Sequence, residues 1–314
     1  MENTKSPSRL FYEELRLLGK DSLEAILKLK RVCTNTNTHY IFINDHIGDV
    51  VVSFGYLKAF KEKHKIGHIT VVVTEKFKEL ISEYSDDYDD VIYLDKYYLY
   101  RTFLLNLTRF GVLYLKKNYP NVTYINPADS VLLGFDYLKS YPEMNLEKMI
   151  KYGCYELDVD AEFKPLKNQA IGSNAKKVSS VPKALLSLSS RTIEPVQLDL
   201  YEKLICGLKE LGYEVYTNTD DKAHSLTNSG SFSGSLNEIS EFLRDGVLIG
   251  TRSGLHDLAM YQCCKVVAIY PENDSFGNLF KLDMLPETRA DYLEVYQSEN
   301  TDIDCKTILE FIKG

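Results

Sequence analysis

The chain has 314 residues, 44% hydrophobic and 26% charged, the composition of a globular protein with room for two domains of ordinary size. A net charge of −8 and a pI near 5.4 argue against general nucleic-acid binding, which needs a basic face. The six cysteines (Cys33, Cys154, Cys206, Cys263, Cys264 and Cys305) form no C-x-x-C pair, which argues against zinc and fits reduced thiols in a cytoplasm.

Residues 1–20 are polar and mixed in charge, unlike a signal peptide, and no apolar run approaches the ~20 residues of a membrane span. Any membrane contact is therefore expected to be peripheral. From Leu10 to Lys30, Leu10, Leu15, Leu18, Leu23, Ile26 and Leu27 predict one or two amphipathic helices, the second capped by Asp21 or Ser22. A strand over 40–43 runs into the turn Asn44-Asp45-His46-Ile47-Gly48-Asp49, and a helix over 50–63 carries Val51, Phe54, Leu57 and Phe60 on one stripe. A strand over 68–73, a helix over 75–83, an acidic turn over 85–90 and a strand over 91–94 follow. Strands alternating with helices predict βαβ units and a parallel sheet.

Residues 96–119 are rich in Tyr, Leu and Phe, with Arg101, Arg109, Lys116 and Lys117 interleaved. Two readings stand: a surface touching lipid or a lipid-linked substrate, or an ordinary core helix with basic residues on its wet side. A strand over 122–125 and a helix over 130–140 follow, and 141–165 has no clear pattern. The Gly-, Ser-, Asn- and Lys-rich run 167–182 divides an N-terminal domain (1–166) from a C-terminal one (183–314).

The rhythm then restarts. A strand over 184–188 leads to the polar turn Ser189-Ser190-Arg191-Thr192, and a helix over 198–211 stops at Gly212. A strand over 214–217 precedes a helix over 236–244 capped by Ser235. Cys206, Cys263 and Cys264 sit in apolar patterns and are expected to be buried. The apolar run 247–249 meets the turn Thr251-Arg252-Ser253-Gly254, where a new helix begins, and a strand over 265–270 follows. Strand-end loops of open α/β sheets bind ligands. Free N–H groups at a helix start attract anions, and Arg252 adds a cationic fork suited to phosphate. The alternative is an ordinary βα turn with a solvated arginine. Glu272, in the loop after 265–270, is read either as a ribose ligand or as a solvated loop residue. A final helix over 305–312 is expected to be capped by Asp302 or Asp304.

The stretch 41–53, with its strand, Gly48-Asp49 pair and helix, resembles the N-terminal motif of the heptosyltransferase-like glycosyltransferases. Residues 185–191, 198–216 and 236–259 resemble that family's donor-binding domain; the middle, 96–182, shows no likeness. The resemblance implies a GT-B fold, two Rossmann-like domains facing a central cleft, with acceptor bound by the first and nucleotide-sugar by the second. It implies inverting transfer without metal or other cofactor, and it matches Asp49 to the general base. In that family the closing motif has an acidic residue where this chain has Arg252, and its histidine aligns with Asp257, one position after His256.

A sugar hydroxyl is a weak nucleophile, so a carboxylate must take its proton as the new bond forms. Asp49 is the candidate, with Asp45 and His46 as competitors on the same turn; its bland alternative is a helix N-cap. His46 and Gly48 are placed on the acceptor side. Ser189, Ser190, Arg191, Thr192, Thr251, Arg252, Ser253, Gly254, Asp257 and Glu272 are assigned to the donor, with Asp257 contacting hydroxyls or polarising Arg252. The expected activity is transfer from a nucleotide-sugar to a cell-surface polysaccharide or lipid-linked glycan. The alternatives are a nucleotide-sugar epimerase or hydrolase on the same fold, or a catalytically silent nucleotide- or glycan-binding partner.

Overall fold

The computed structural model describes residues 19, 22–82, 84–106, 109–125, 143–165, 181–190, 193–218, 226–244, 246–262, 265–272 and 277–314. Helix α1 (22–32) leads to β1 (His39–Ile43), α2 (Ile47–Lys63), β2 (Ile69–Val73), a 3₁₀ turn (Glu75–Phe77), α3 (Lys78–Ser82) and β3 (Asp90–Tyr93). A helical hairpin, α4 (Lys96–Asn106) and α5 (Arg109–Asn118), precedes β4 (Val122–Ile125). These four strands form a parallel sheet in the order β3-β2-β1-β4. The expected helix over 130–140 lies outside the described residues, as do most of 1–21 and 167–180. The short α6 (Leu146–Lys148) passes into a π-helical turn, Met149–Cys154, packed on α2.

The second sheet is larger. β5 (Lys183–Ser187), α7 (Leu198–Glu210), β6 (Glu214–Asn218) and β7 (Gly230–Phe232) are followed by α8 (Leu236–Leu243), β8 (Val247–Thr251), α9 (Gly254–Ala259) and β9 (Lys265–Tyr270). β10 (Asp291–Tyr296) and α10 (Thr301–Lys313) finish the chain. The order is β10-β9-β8-β5-β6-β7, all parallel. The central strands are short runs of Val, Ile, Leu and Ala covered on both faces, the pattern of a parallel sheet. β7 and β10 go unpredicted because they are edge strands: β7 has three residues, and β10 is largely exposed.

Three further details differ from the sequence reading. α2 begins at Ile47, three residues before Val50, and is buried nearly all round through Leu57 instead of along one stripe. The reason is its position: it lies between its own sheet and the second lobe, so Val50, Val51, Phe54 and Leu57 share one core with Leu255, Leu258 and Tyr261. α10 is capped by Asn300, whose side chain accepts the Asp302 N–H at 3.1 Å, and not by Asp302 or Asp304. Cys206 is exposed, on the wet side of α7, while Cys263 and Cys264 lie outside the described residues.

Candidate active site

Each sheet reverses its strand order at one point: between β1 and β4 in the first, between β5 and β8 in the second. Strand connections leave to opposite sides there, so a crevice opens beyond the carboxyl ends. The loops after β1, β5 and β8 meet at one cavity of about 620 Å³ between the lobes. Its wall from the first lobe includes Asp45, His46, Gly48, Asp49 and Lys76; from the second, Ser187, Ser189, Ser190, Arg252, Ser253, Gly254 and Asp257.

The lobes touch at two glycines. A Cβ on Gly48 would lie 2.5 Å from Asp257 Oδ2, and a Cβ on Gly254 would lie 3.0 Å from the Gly48 nitrogen. Any side chain at either position would wedge apart the starts of α2 and α9, which form the cavity floor together with Leu146.

Asp49 sits in the first turn of α2, and the N-cap is His46, which makes no side-chain cap bond. The N-terminal end of a 17-residue helix therefore faces the cavity. The Asp49 carboxylate is buried, with Oδ2 3.4 Å from His46 Nδ1, and that nitrogen is 3.1 Å from Asn44 Nδ2. Asp45 is held differently. Lys76 lies 2.8 Å and Lys96 3.2 Å from its oxygens, and Thr74 donates to Oδ1 at 2.7 Å. Burial raises its proton affinity, but the hydrogen bonds from Lys76 and Thr74, together with the lysine charges, outweigh burial and hold it below the ordinary carboxylate value. Of the two aspartates on this turn, Asp45 is paired with two lysines, whereas Asp49 meets the His46 ring.

On the second lobe, Arg252 and Asp257 form a buried bidentate pair, Nη2 to Oδ1 at 2.5 Å and Nη1 to Oδ2 at 3.2 Å. Arg252 also donates from Nε to the Phe280 carbonyl at 2.7 Å and from Nη1 to the Ser253 carbonyl. A guanidinium has five N–H donors, and four of these make bonds to protein. Burial raises the proton affinity of Asp257, Arg252 opposes this, and the nearby Asp49 charge adds to it; the net direction is upward. His256 faces the sheet. Its Nδ1 accepts the Ser253 N–H at 3.2 Å, so Nε2 carries the proton and donates to the Val267 carbonyl at 3.2 Å. Burial and the Arg252 charge push its pKa down to about 3, so the ring is neutral.

The cavity thus brings together His46, Gly48, Asp49, Ser189, Ser190, Arg252, Ser253, Gly254 and Asp257. Two assigned donor residues lie elsewhere. Thr251 is fully buried; its hydroxyl donates to the Leu188 carbonyl at 3.0 Å and meets the Tyr201 hydroxyl at 3.0 Å. As the last residue of β8 its side chain points toward α7, because strand side chains alternate. Glu272 is exposed and off the cavity wall, in the loop after β9, one strand beyond the reversal point. Arg191 and Thr192 lie outside the described residues. The Arg252 fork is committed mainly to Asp257 and two carbonyls, and the Ser253 N–H is taken by His256, so this turn is less open to phosphate than its composition suggests. Asn218, Ser235, Ile239 and Phe280 also line the cavity and were not singled out for it from the sequence. The cap expected at Ser235 forms, and Glu238 completes it into a capping box with both bonds made. Among the described residues, no group of three His, Cys, Asp or Glu side chains is placed to hold a metal ion.

No family model and no curated protein sequence matches the chain. Solved structures do match. The iron-containing dodecameric glycosyltransferase TibC of enterotoxigenic E. coli superposes with a TM-score of 0.57 at 16% identity, over 84% of this chain and 63% of that one. This chain therefore spans less than two thirds of the TibC chain. E. coli ADP-heptose LPS heptosyltransferase II gives 0.52 at 12% identity, over 87% of this chain and 96% of that one. E. coli heptosyltransferase WaaC, solved with ADP, gives 0.54 at 11% identity, over 87% and 99%. The fold is therefore that of the heptosyltransferase-like glycosyltransferases, the GT-B arrangement.

Proposed function

We propose that the chain is an inverting glycosyltransferase that moves a sugar from a nucleotide-sugar to a hydroxyl of a cell-surface polysaccharide or lipid-linked glycan. The observation that carries this reading is the shared cavity, with the Asp49 carboxylate on one wall and the hydroxyls of Ser189, Ser190 and Ser253 on the other. Structural neighbours support the donor class: WaaC was solved with ADP, and TibC in complex with ADP-D-β-D-heptose.

In this mechanism Asp49 takes the proton of the acceptor hydroxyl as its oxygen attacks the anomeric carbon from the face opposite the leaving group. The new C–O bond forms as the bond to the nucleotide phosphate breaks, and configuration inverts. Asp49 is the candidate because it is buried, lines the cavity and is not paired with the lysines that occupy Asp45. His46, within 3.4 Å, positions the carboxylate and lines the acceptor side. The departing phosphate is met by the hydroxyls of Ser189, Ser190 and Ser253 and by the N–H of Gly254, the first residue of α9. Asp257 fixes Arg252, and Arg252 in turn fixes the loops carrying Ser253 and Phe280. The proposal gives no metal a role, so chelation by EDTA is expected to leave turnover unchanged.

The test begins with calorimetric titration of ADP, UDP and GDP into the protein. The diphosphate that binds names the donors to assay, with and without glycan acceptors. Acceptor-dependent release of that diphosphate is the expected result. Release without acceptor at the same rate would make the protein a hydrolase, and binding of none of the three would remove the donor site.

A further inference from the structure

The helix α4 begins at the mouth of the cavity: Lys96, its first residue, pairs with the cavity residue Asp45 at 3.2 Å. Tyr97, Tyr98 and Tyr100 follow within ~6 Å along the helix axis. Beside them, Leu23 and Leu27 project from α1, on the side opposite its buried Ala25 and Leu29. All five are between 43% and 59% exposed. The two helices are tied together here. Tyr97 donates to Glu24 at 3.2 Å, and the Lys28 ammonium lies 4.6 Å from the centre of the Tyr98 ring. The Arg101 guanidinium lies 4.6 Å from the Tyr97 ring.

Charge separates this face from the rest of the molecule. The chain as a whole carries −8, yet α1 and the first six residues of α4 (22–32 and 96–101) hold five basic residues and one acidic, Glu24, with Asp95 just before α4. Exposed leucines, tyrosines with an apolar ring and a polar tip, and cations held over those rings form a surface that water solvates poorly and that phosphate headgroups complement. None of the described helices is long and apolar enough to cross a membrane.

We propose that the face formed by α1 and the start of α4 docks onto an anionic lipid surface, with the tyrosines and leucines at headgroup depth and the cavity mouth held beside them. The Lys96–Asp45 pair is the junction: it joins the docking face to the acceptor wall, so a glycan carried on a lipid enters from the side at which the protein is anchored. The docking depends on the proposed transferase activity only for the identity of that glycan. Vesicle binding and nucleotide binding are separate measurements, so either idea can fail alone.

The experiment is cosedimentation of the full chain with phosphatidylcholine vesicles, with and without about one-third phosphatidylglycerol. The protein is expected to pellet with the anionic vesicles and to be released by salt. Two variants, Tyr97→Ser/Tyr98→Ser/Tyr100→Ser and Lys28→Glu/Arg101→Glu, are each expected to lower partitioning about tenfold or more. A control, Leu198→Ser/Ile303→Ser, removes exposed apolar side chains from the second lobe and is expected to leave it unchanged. Circular dichroism of each variant establishes that it is folded. Wild-type protein remaining in the supernatant with both vesicle types overturns the proposal, as does equal binding by all variants. A dimer in light scattering that the triple tyrosine variant dissociates would assign this face to a second copy of the chain and overturn it equally.

Discussion

Arg252→Met tests the account of the cavity wall most directly. The guanidinium is 2% exposed and meets Asp257 at 2.5 and 3.2 Å. At an effective dielectric of about 20, two unit charges ~4 Å apart attract by roughly 4 kcal/mol, and desolvation of both groups offsets part of that. Losing one partner is worse than losing both, because Asp257 is then left charged and buried beside Asp49; such breaks cost about 3–5 kcal/mol. Arg252→Met is therefore expected to lose about 3–5 kcal/mol at pH 7.5, while Arg252→Met/Asp257→Leu returns to within about 1 kcal/mol of wild type. Urea unfolding followed by circular dichroism and by tyrosine fluorescence measures both, since the chain has 23 tyrosines and no tryptophan. The sign with pH is fixed. The carboxyl of Asp257 is raised in the fold, so the folded state takes up a proton at a pH where the unfolded chain has not, and acid relieves the stranded charge. The deficit of the single variant should thus shrink as pH falls from 7.5 toward 5. A single-variant loss under about 1 kcal/mol, or a double variant as unstable as the single, would refute the reasoning.

Asp49→Asn should leave diphosphate affinity within about twofold and lower transfer by about 10²–10⁴-fold, as measured by acceptor-dependent diphosphate release. Gly48→Ala, whose Cβ would press on Asp257 Oδ2, should destabilise by about 1–3 kcal/mol in thermal unfolding. His256 is held neutral with a pKa near 3, so the stability it contributes is complete above its unfolded value of 6.5 and is lost as pH falls toward 3. His256→Gln should therefore unfold with a shallower acid dependence, by up to about 1.4 kcal/mol per pH unit between 6 and 4 in urea midpoints.

Much of the fold was legible because period and punctuation agree along the chain. β1, β2, β4, β5 and β9 are short apolar runs ended by polar turns, and α7 and α8 have clear stripes and stops. The turn before α2 was legible as part of a crevice wall, because it follows the carboxyl end of a buried parallel strand, and it does line the cavity. What could not be read were relations that depend on neighbours. The start of α2 at Ile47 follows from packing against α9, and the burial of Thr251 follows from the alternation of β8. Asp45 and Asp49 are the same residue type on one turn; only the positions of Lys76 and Lys96, far along the chain, set them apart. Glu272, the second residue past β9, is exposed and off the cavity wall, whereas Phe280, farther along the same connection, reaches it; which part of a long loop turns inward is set by tertiary packing.

The replacement at the closing turn has a consequence for how a donor is gripped. The family likeness places an acidic residue at position 252 and histidine at 257, and this chain has arginine and aspartate, joined to each other. The pair is neutral in sum, and four of the guanidinium donors are already used. Among the described residues of this wall, a diphosphate entering the cavity therefore meets hydroxyls and backbone N–H groups before an uncommitted cation. The double variant Arg252→Met/Asp257→Leu separates the two roles, since the stability argument expects it to fold. Its affinity for the bound nucleoside diphosphate should stay within about threefold of wild type by calorimetry, because neither charge was available to the ligand. A loss of tenfold or more, about 1.4 kcal/mol, would show that Arg252 leaves Asp257 to bind phosphate and that the pair is a resting state of the turn.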